Sequence, residues 1–332
     1  MATTVDNHRR VEKYHTPFWL PGSHLQTIYP AFLDWRYRVD YRRERWDTPD
    51  GDFIDLDWVD GKPENPLIVL FHGLEGGSRS HYALSLMHSV REFGWRGVVV
   101  LFRGCSGEIN RLPRAYHSGD SAEIDWILRR LKAHNPQSTI YALGVSLGGN
   151  ALLKWLGEQG EQAKNVIHAA AAVSAPLDLM AAGDRLGRGF NLVYTRIFMK
   201  SMKRKYLDKL KRFPNLFNRE AMLSSGTLRE FDDVITAPVH GYKNTDDYWT
   251  RASSKPGLKN IRTPTLLINA RNDPFLPDHA LPSPNEVSPA VTLEFSAQGG
   301  HAGFVSGAFP GHLDWLPQRI VSFFNNSEPQ RR

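Results

Sequence analysis

Residues 140 to 156 constrain the architecture more tightly than any other stretch of the chain. An apolar run, Ile140-Tyr141-Ala142-Leu143, leads into Gly144-Val145-Ser146-Leu147-Gly148. Helix-forming residues follow, Gly149-Asn150-Ala151-Leu152-Leu153-Lys154-Trp155-Leu156. A buried strand that turns through Gly-x-Ser-x-Gly straight into a helix is the pattern of a nucleophile elbow. Small residues flank the serine because the turn has no room for side chains. The helix N-terminus beyond it, with unpaired N–H groups and the positive end of the dipole, favours negative charge. Ser146 is thereby a candidate nucleophile. A glycine-rich turn without chemistry has the same local sequence, so the case rests on what the rest of the chain supplies.

From about residue 52 onward, strand-like and helix-like runs alternate, which implies a mostly parallel sheet with helices on both faces. Phe53–Val59 alternates and reads as an edge strand. Leu67–Phe71 and Val98–Phe102 are continuous apolar runs, as expected for strands buried on both faces. A crossover helix is expected between them, around Tyr82–Phe93. Asp120-Ser121-Ala122-Glu123 has the spacing of a capping box at a helix start, and Ile124, Ile127, Leu128 and Leu131 continue at helical spacing. Val166–Val173, Thr265–Ala270 and Val291–Phe295 complete the strands. Between Asp178 and Pro256 the rhythm stops, and helix-prone sequence rich in aromatic and basic residues takes over. An insertion there would lie above the strand C-termini, where open parallel sheets bind ligands.

A serine hydroxyl needs a base, and histidine suits because its pKa lies near neutrality. A carboxylate must then orient the ring and stabilise its protonated form. Asp273 sits in Asn272-Asp273-Pro274-Phe275, directly after an apolar strand. His301 sits in Gln298-Gly299-Gly300-His301-Ala302-Gly303, after the last one. Three such residues at three strand ends, in the order Ser, Asp, His, are hard to attribute to coincidence. Asp178 is a weaker competitor for the acid. His312 reads as a residue that caps or packs the last helix. A developing oxyanion needs donors: the backbone N–H of Leu147, next to the serine, and that of Leu74, in the His72-Gly73-Leu74-Glu75-Gly76-Gly77 loop that follows Leu67–Phe71.

The chain has 332 residues and one cysteine, Cys105, so an intramolecular disulfide and a cysteine-rich zinc site are excluded. No histidine pair has helical metal-ligand spacing. Neither a metal nor any other cofactor is expected. The polar start Met1–Arg10 lacks a signal-peptide pattern, and the apolar runs are too short to span a bilayer. Together these predict a cytoplasmic protein. The net charge of +6 is not accompanied by any nucleic-acid-binding signature, so no nucleic-acid partner is expected. Lys200–Arg212 places Met202, Tyr206 and Leu210 at helical spacing with bases around them. The preferred reading is a cap helix with a solvated basic face; the alternative is peripheral contact with an anionic membrane. Phe190, Tyr194, Phe198 and Met199 are candidates for an apolar substrate pocket or for the core of the insertion. The sequence carries no signal for an oligomeric state.

Taken together, the His72–Gly77 loop, Arg103-Gly104-Cys105-Ser106-Gly107, Gly144–Asn150, Asn272-Asp273-Pro274 and Gly300-His301 resemble the α/β-hydrolase superfamily. With Phe18-Trp19-Leu20-Pro21-Gly22-Ser23-His24-Leu25-Gln26-Thr27 they resemble, more narrowly, the YheT-type esterases, bacterial relatives of the ABHD1/2/3-type lipases. The resemblance covers about residues 15 to 325. It implies an α/β-hydrolase fold, a Ser146-Asp273-His301 triad, and carboxylic ester substrates, small-molecule or lipid. The organisation expected is an N-terminal extension over 1–50 packing on the core, a core over 51–177 and 257–325, a helical cap over 178–256, and a disordered tail over 326–332. An acyltransferase would use the same triad, and a non-catalytic binding protein the same fold.

Overall fold

The structure, a computed structural model, describes residues 12–327. The first eleven residues of the expected extension lie outside that range. So does the expected tail, apart from Asn326 and Ser327.

Eight strands form one sheet: β1 Arg42–Asp47, β2 Phe53–Val59, β3 Leu67–Phe71, β4 Arg96–Leu101, β5 Ile140–Val145, β6 Ala169–Val173, β7 Thr265–Ala270 and β8 Val291–Ser296. Their order across the sheet is β1-β2-β4-β3-β5-β6-β7-β8. From β4 to β8 all neighbours pair in parallel, and β2 runs antiparallel to both of its own. The sheet can be parallel because both faces are covered. Five helices position the site: α1 Ser23–Ile28, α2 His81–Glu92, α3 Ser121–His134, α4 Leu147–Gln159 and the final helix Trp315–Asn326. The period of two in each strand divides the apolar residues between two cores. Ile68, Leu70 and Tyr141 pack toward α2 and the final helix. Leu67, Val69 and Ala142 pack toward α3 and α4.

Phe53–Val59 is not an edge. All seven residues are buried, and β1 lies outside it. The true edge reads Arg-Arg-Glu-Arg-Trp-Asp, with only Trp46 buried. Charge hides it from a hydrophobic scan and also protects an exposed edge from pairing with other chains. Residues 42–47 of the expected extension therefore belong to the sheet. The capping box at Asp120 does not form. The Asp120 carboxylate is taken by Arg114 at 2.6 Å, and Glu123 by Arg103 at 2.6 Å. A charge-assisted bond to a guanidinium out-competes a backbone N–H for a carboxylate.

Helices fill the stretch between β6 and β7, led by α5 Leu179–Leu186 and α6 Leu192–Arg212 and followed by shorter ones such as Thr245–Ala252. The basic part of α6 is not uniformly solvated. Lys209 is 2% exposed, and its Nζ donates to Asn110 Oδ1 and to the carbonyls of Leu112 and Arg114 at 2.6–2.9 Å. Burial pulls its pKa down to about 8. Lys205 turns inward onto Glu75 at 2.8 Å. These two cations fasten α6 to loops of the sheet layer.

Candidate active site

Strand order decides where the chemistry sits. β3 is followed by β4 on one side and flanked by β5 on the other, so the ends of β3 and β5 form the switch point where such sheets open a crevice. Phe71 is in register with Gly144. The loop after β3 thus lies beside Ser146, and a Cβ on Gly73 would come 3.0 Å from the Ser146 Cβ. Ser146 holds φ 53° and ψ −123°, a left-handed conformation costly for a residue with a side chain. Gly148 is required for close approach: a Cβ there would come 2.3 Å from the Phe71 carbonyl.

The structure brings the three candidate residues together. His301 Nε2 is 2.9 Å from Ser146 Oγ, and His301 Nδ1 is 2.9 Å and 3.1 Å from the two Asp273 carboxylate oxygens. The Asp273 side chain is fully buried, and one of its oxygens also accepts the Phe275 N–H at 2.8 Å. The Phe275 ring stacks on the imidazole with centroids 4.1 Å apart. With Asp273 on Nδ1, the ring presents Nε2 to the serine. Asp178, the competing acid, is instead the N-cap of α5, accepting the Ala181 N–H. His312 is two residues ahead of the final helix's N-cap, 3.0 Å from the Asp314 carboxylate.

Leu147 opens α4, so its N–H has no carbonyl one turn earlier to bond. Leu74 lies in the neighbouring loop, and both residues line the same cavity as Ser146 and His301. The loop is held from three sides. His72 is fully buried, its Nδ1 2.7 Å from the Gly73 carbonyl and its Nε2 accepting the Phe102 N–H at 3.2 Å. Burial lowers its pKa to about 4, so it is neutral in one fixed tautomer. The Gly73 N–H donates to the Tyr82 hydroxyl and the Glu75 N–H to the Tyr116 hydroxyl. Arg103, the first residue of the Arg-Gly-Cys-Ser-Gly loop, is a buried hub paired with Asp50, Asp52 and Glu123. Desolvation pushes the Cys105 thiol up to about 11, which keeps it protonated and a poor nucleophile.

The cavity measures about 1100 Å³ with its open mouth. It runs from Ser146 beneath α6, where Phe198, Met202 and Tyr206 form its wall. Of the four pocket candidates only Phe198 lines it. Phe190 is 53% exposed and packs on His24. Tyr194 faces Phe275 and shares a hydrogen bond with His24. Met199 is buried among Met202, Tyr206 and Phe231 in the helical layer's own core. Phe198 faces the cavity and Met199, the next residue and about 100° further round the helix, faces away; that rotation is set by tertiary packing. Among the described residues, no group of three or more His, Cys, Asp or Glu is placed to hold a metal ion.

Sequence reasoning missed the residues that hold the histidine. Gln26, on α1 and 1% exposed, uses every hydrogen-bonding site on its side chain. Its Oε1 accepts from Asn272 Nδ2 (2.9 Å) and the Gly299 N–H (3.0 Å); its Nε2 donates to the Leu20 carbonyl and to Gln298 Oε1. The next residue, Thr27, accepts the His301 N–H on Oγ1 at 2.9 Å. Ser174 accepts the Ala302 N–H. Gly300 permits the contact: a Cβ there would come 2.7 Å from the Gln26 backbone. The Leu25-Gln26-Thr27 signature was visible, but its role was not, because nothing local says what a polar residue some 250 positions away will touch.

Comparison with known proteins agrees with this fold. A family model for the alpha/beta hydrolase fold matches residues 66–308. YheT of Escherichia coli (strain K12), named as a candidate esterase, is 39% identical over 304 residues, covering 90% of this chain and 89% of that one. The Mus musculus phospholipase ABHD3 is 32% identical over 322 residues, covering 94% of this chain and 78% of that one. An esterase of Pyrococcus furiosus superposes with a TM-score of 0.56 at 15% identity, over 89% of this chain and 93% of that one, which speaks for the fold alone. The chain belongs to the α/β-hydrolase fold family, in the group that contains YheT.

Proposed function

We propose that this member of the family is a serine hydrolase of carboxylic esters, lipid esters included, working through an acyl-enzyme. One observation carries the reading: the unbroken line of hydrogen-bonding contacts from the Ser146 hydroxyl through His301 to the buried Asp273 carboxylate. Ser146 Oγ attacks the ester carbonyl carbon as His301 Nε2 takes its proton, and Asp273 stabilises the imidazolium. The carbonyl oxygen becomes an oxyanion held by the N–H groups of Leu147 and Leu74. The bond to the alcohol oxygen then breaks, and His301 returns the proton to the leaving alcohol. Water, deprotonated by the same ring, attacks the acyl-Ser146 carbonyl and releases the acid. The mostly apolar cavity beneath α6 suits an acyl chain, and the helices between β6 and β7 act as its cap. The esterase and phospholipase names of the relatives support the ester class.

The test is direct. Purified protein hydrolyses p-nitrophenyl acyl esters and is labelled by a fluorophosphonate, and Ser146→Ala abolishes both. Hydrolysis that survives in Ser146→Ala at the wild-type rate overturns the assignment.

A further inference from the structure

Eleven large apolar side chains are strongly exposed among the described residues, and nine of them fall on three linked segments. On α1 and the 3-10 turn that continues it to Arg36, Leu25, Ile28, Phe32 and Trp35 recur at helical spacing and are 37–67% exposed. The opposite side of the same segment buries Gln26, Pro30 and Leu33. A segment apolar on its outer face as well as its inner one is ordinarily covered by something. Ahead of it Phe18 is 96% exposed. Trp19 joins this segment to Phe309, itself 74% exposed, with ring centroids 5.4 Å apart. On the other flank the His24 ring lies 4.4 Å from Phe190, which leads into α6 with Val193 and Ile197 exposed.

The charge around this face has one dominant sign. Arg196 and Lys200 share the exposed face of α6 with Val193 and Ile197, and Arg185 and Arg188 precede it. None of these four forms an ion pair among the described residues, whereas arginines elsewhere, such as Arg43, Arg45, Arg103 and Arg114, are paired. Arg185 is close enough to His24 to act on its charge. Asp34 is the exposed carboxylate within the segment, and Asp184 is occupied by Arg229. Exposed aromatic and aliphatic side chains bordered by unpaired cations match the boundary between acyl chains and anionic headgroups.

The geometry points to a docking surface for a phospholipid bilayer that carries anionic lipid, formed by the outer faces of α1 and its 3-10 continuation, the Phe18 and Phe309 loops, and the first half of α6. The basic second half of α6 is not that surface, since Lys205 and Lys209 face inward. The location gives the surface a purpose, which rests on the ester-hydrolase reading: α1 binds the His301 loop through Gln26 and Thr27 with its inner side, so a bilayer on its outer side meets the protein beside the reacting groups.

The experiment separates the two readings, because binding is measured without turnover. Full-length protein carrying Ser146→Ala is sedimented with vesicles of phosphatidylcholine containing phosphatidylglycerol. It co-sediments at low salt and releases as salt rises. Combining Phe18→Ser, Leu25→Ser, Phe32→Ser and Trp35→Ser, all at exposed positions, weakens binding at least ~10-fold. In the background with Ser146 intact, the same four changes leave hydrolysis of a short-chain, water-soluble p-nitrophenyl ester unchanged. Arg196→Glu with Lys200→Glu weakens binding and flattens its salt dependence. Absence of co-sedimentation at low salt overturns the proposal, as does equal binding by the four-fold variant. A stable dimer in solution that the four-fold variant dissociates also overturns it, by assigning the face to a second copy. Failure of the protein with Ser146 intact to react with a fluorophosphonate, with vesicle binding retained, would remove the hydrolase reading and leave this one standing.

Discussion

Ser146 and His301 reach the same hydrogen bond from opposite kinds of support. Ser146 is held by its own strand and helix. β5 delivers it, α4 begins at the next residue, and the neighbouring loop is set by the strand register of Phe71 with Gly144. His301 lies in a loop with no regular structure, kept in place by side chains from elsewhere: Thr27 and Gln26 from α1, Ser174 from the end of β6, and Asn272 and Phe275 from the loop after β7. The nucleophile is a product of local backbone geometry, and the base is a product of long-range contacts. The first should be hard to perturb except by changing the serine or its glycines. The second should fail gradually, one contact at a time.

The largest effects are expected at the reacting groups on either side. Ser146→Ala should lower kcat on the order of 10⁶-fold and Asp273→Asn about 10⁴-fold, judging by other serine hydrolases. Equal losses would say that Asp273 matters as much as the nucleophile. On the serine side, the weak point is protonation of His72 beneath the Leu74 loop. Its folded pKa is about 4 against an ordinary 6.5, so the unfolded chain takes up the proton first as pH falls. Native stability should therefore decline between pH 6.5 and 4, by ~3 kcal/mol from this group. Denaturant titrations across that range measure it, and His72→Gln should flatten the slope by that share.

On the histidine side, Gln26→Leu leaves the Gly299 N–H and the Asn272 amide without an acceptor. It should lower kcat on the order of 10²-fold with little change in KM, because a displaced base slows chemistry more than binding. The fluorophosphonate labelling rate should fall in parallel, and far-ultraviolet circular dichroism should remain that of the wild type. An unchanged kcat would show that the His301 loop does not need α1. Thr27→Val removes one acceptor, for the His301 N–H, and should cost about tenfold in kcat, the smallest effect of the series.

The same contrast explains what could be read from the sequence. The serine side was legible because its constraints are local. A continuous apolar strand, glycines where backbone atoms come within van der Waals contact, and a helix start all lie within about fifteen residues. Asp273 and His301 were legible as positions after strands, in an order with chemical meaning. The contacts that hold them were not. Gln26 gives no sign of its four partners, and the rotation that sends Phe198 to the cavity and Met199 away from it is set by packing across α6. The charged edge β1 escaped for a different reason: only Trp46 of its side chains is buried, and Arg43 and Arg45 join the sheet through Asp57 and Asp55 on β2, partners that the sequence does not announce. Lys205 and Lys209 show the converse: a run of basic residues reads as a solvated face until buried carbonyls and Glu75 are seen to meet two of them.

The bond between Thr27 and His301 spans 274 positions, and that between Gln26 and Asn272 spans 246. Joining such distant points is among the last events in the folding of a chain, because loop-closure entropy must be overcome before these contacts contribute. A polypeptide emerging from the ribosome can shape its serine turn early, but it acquires a seated imidazole only when its beginning and end have met. Onset of fluorophosphonate reactivity during refolding would thus serve as a clock for the final act of assembly, lagging behind the signals of sheet formation.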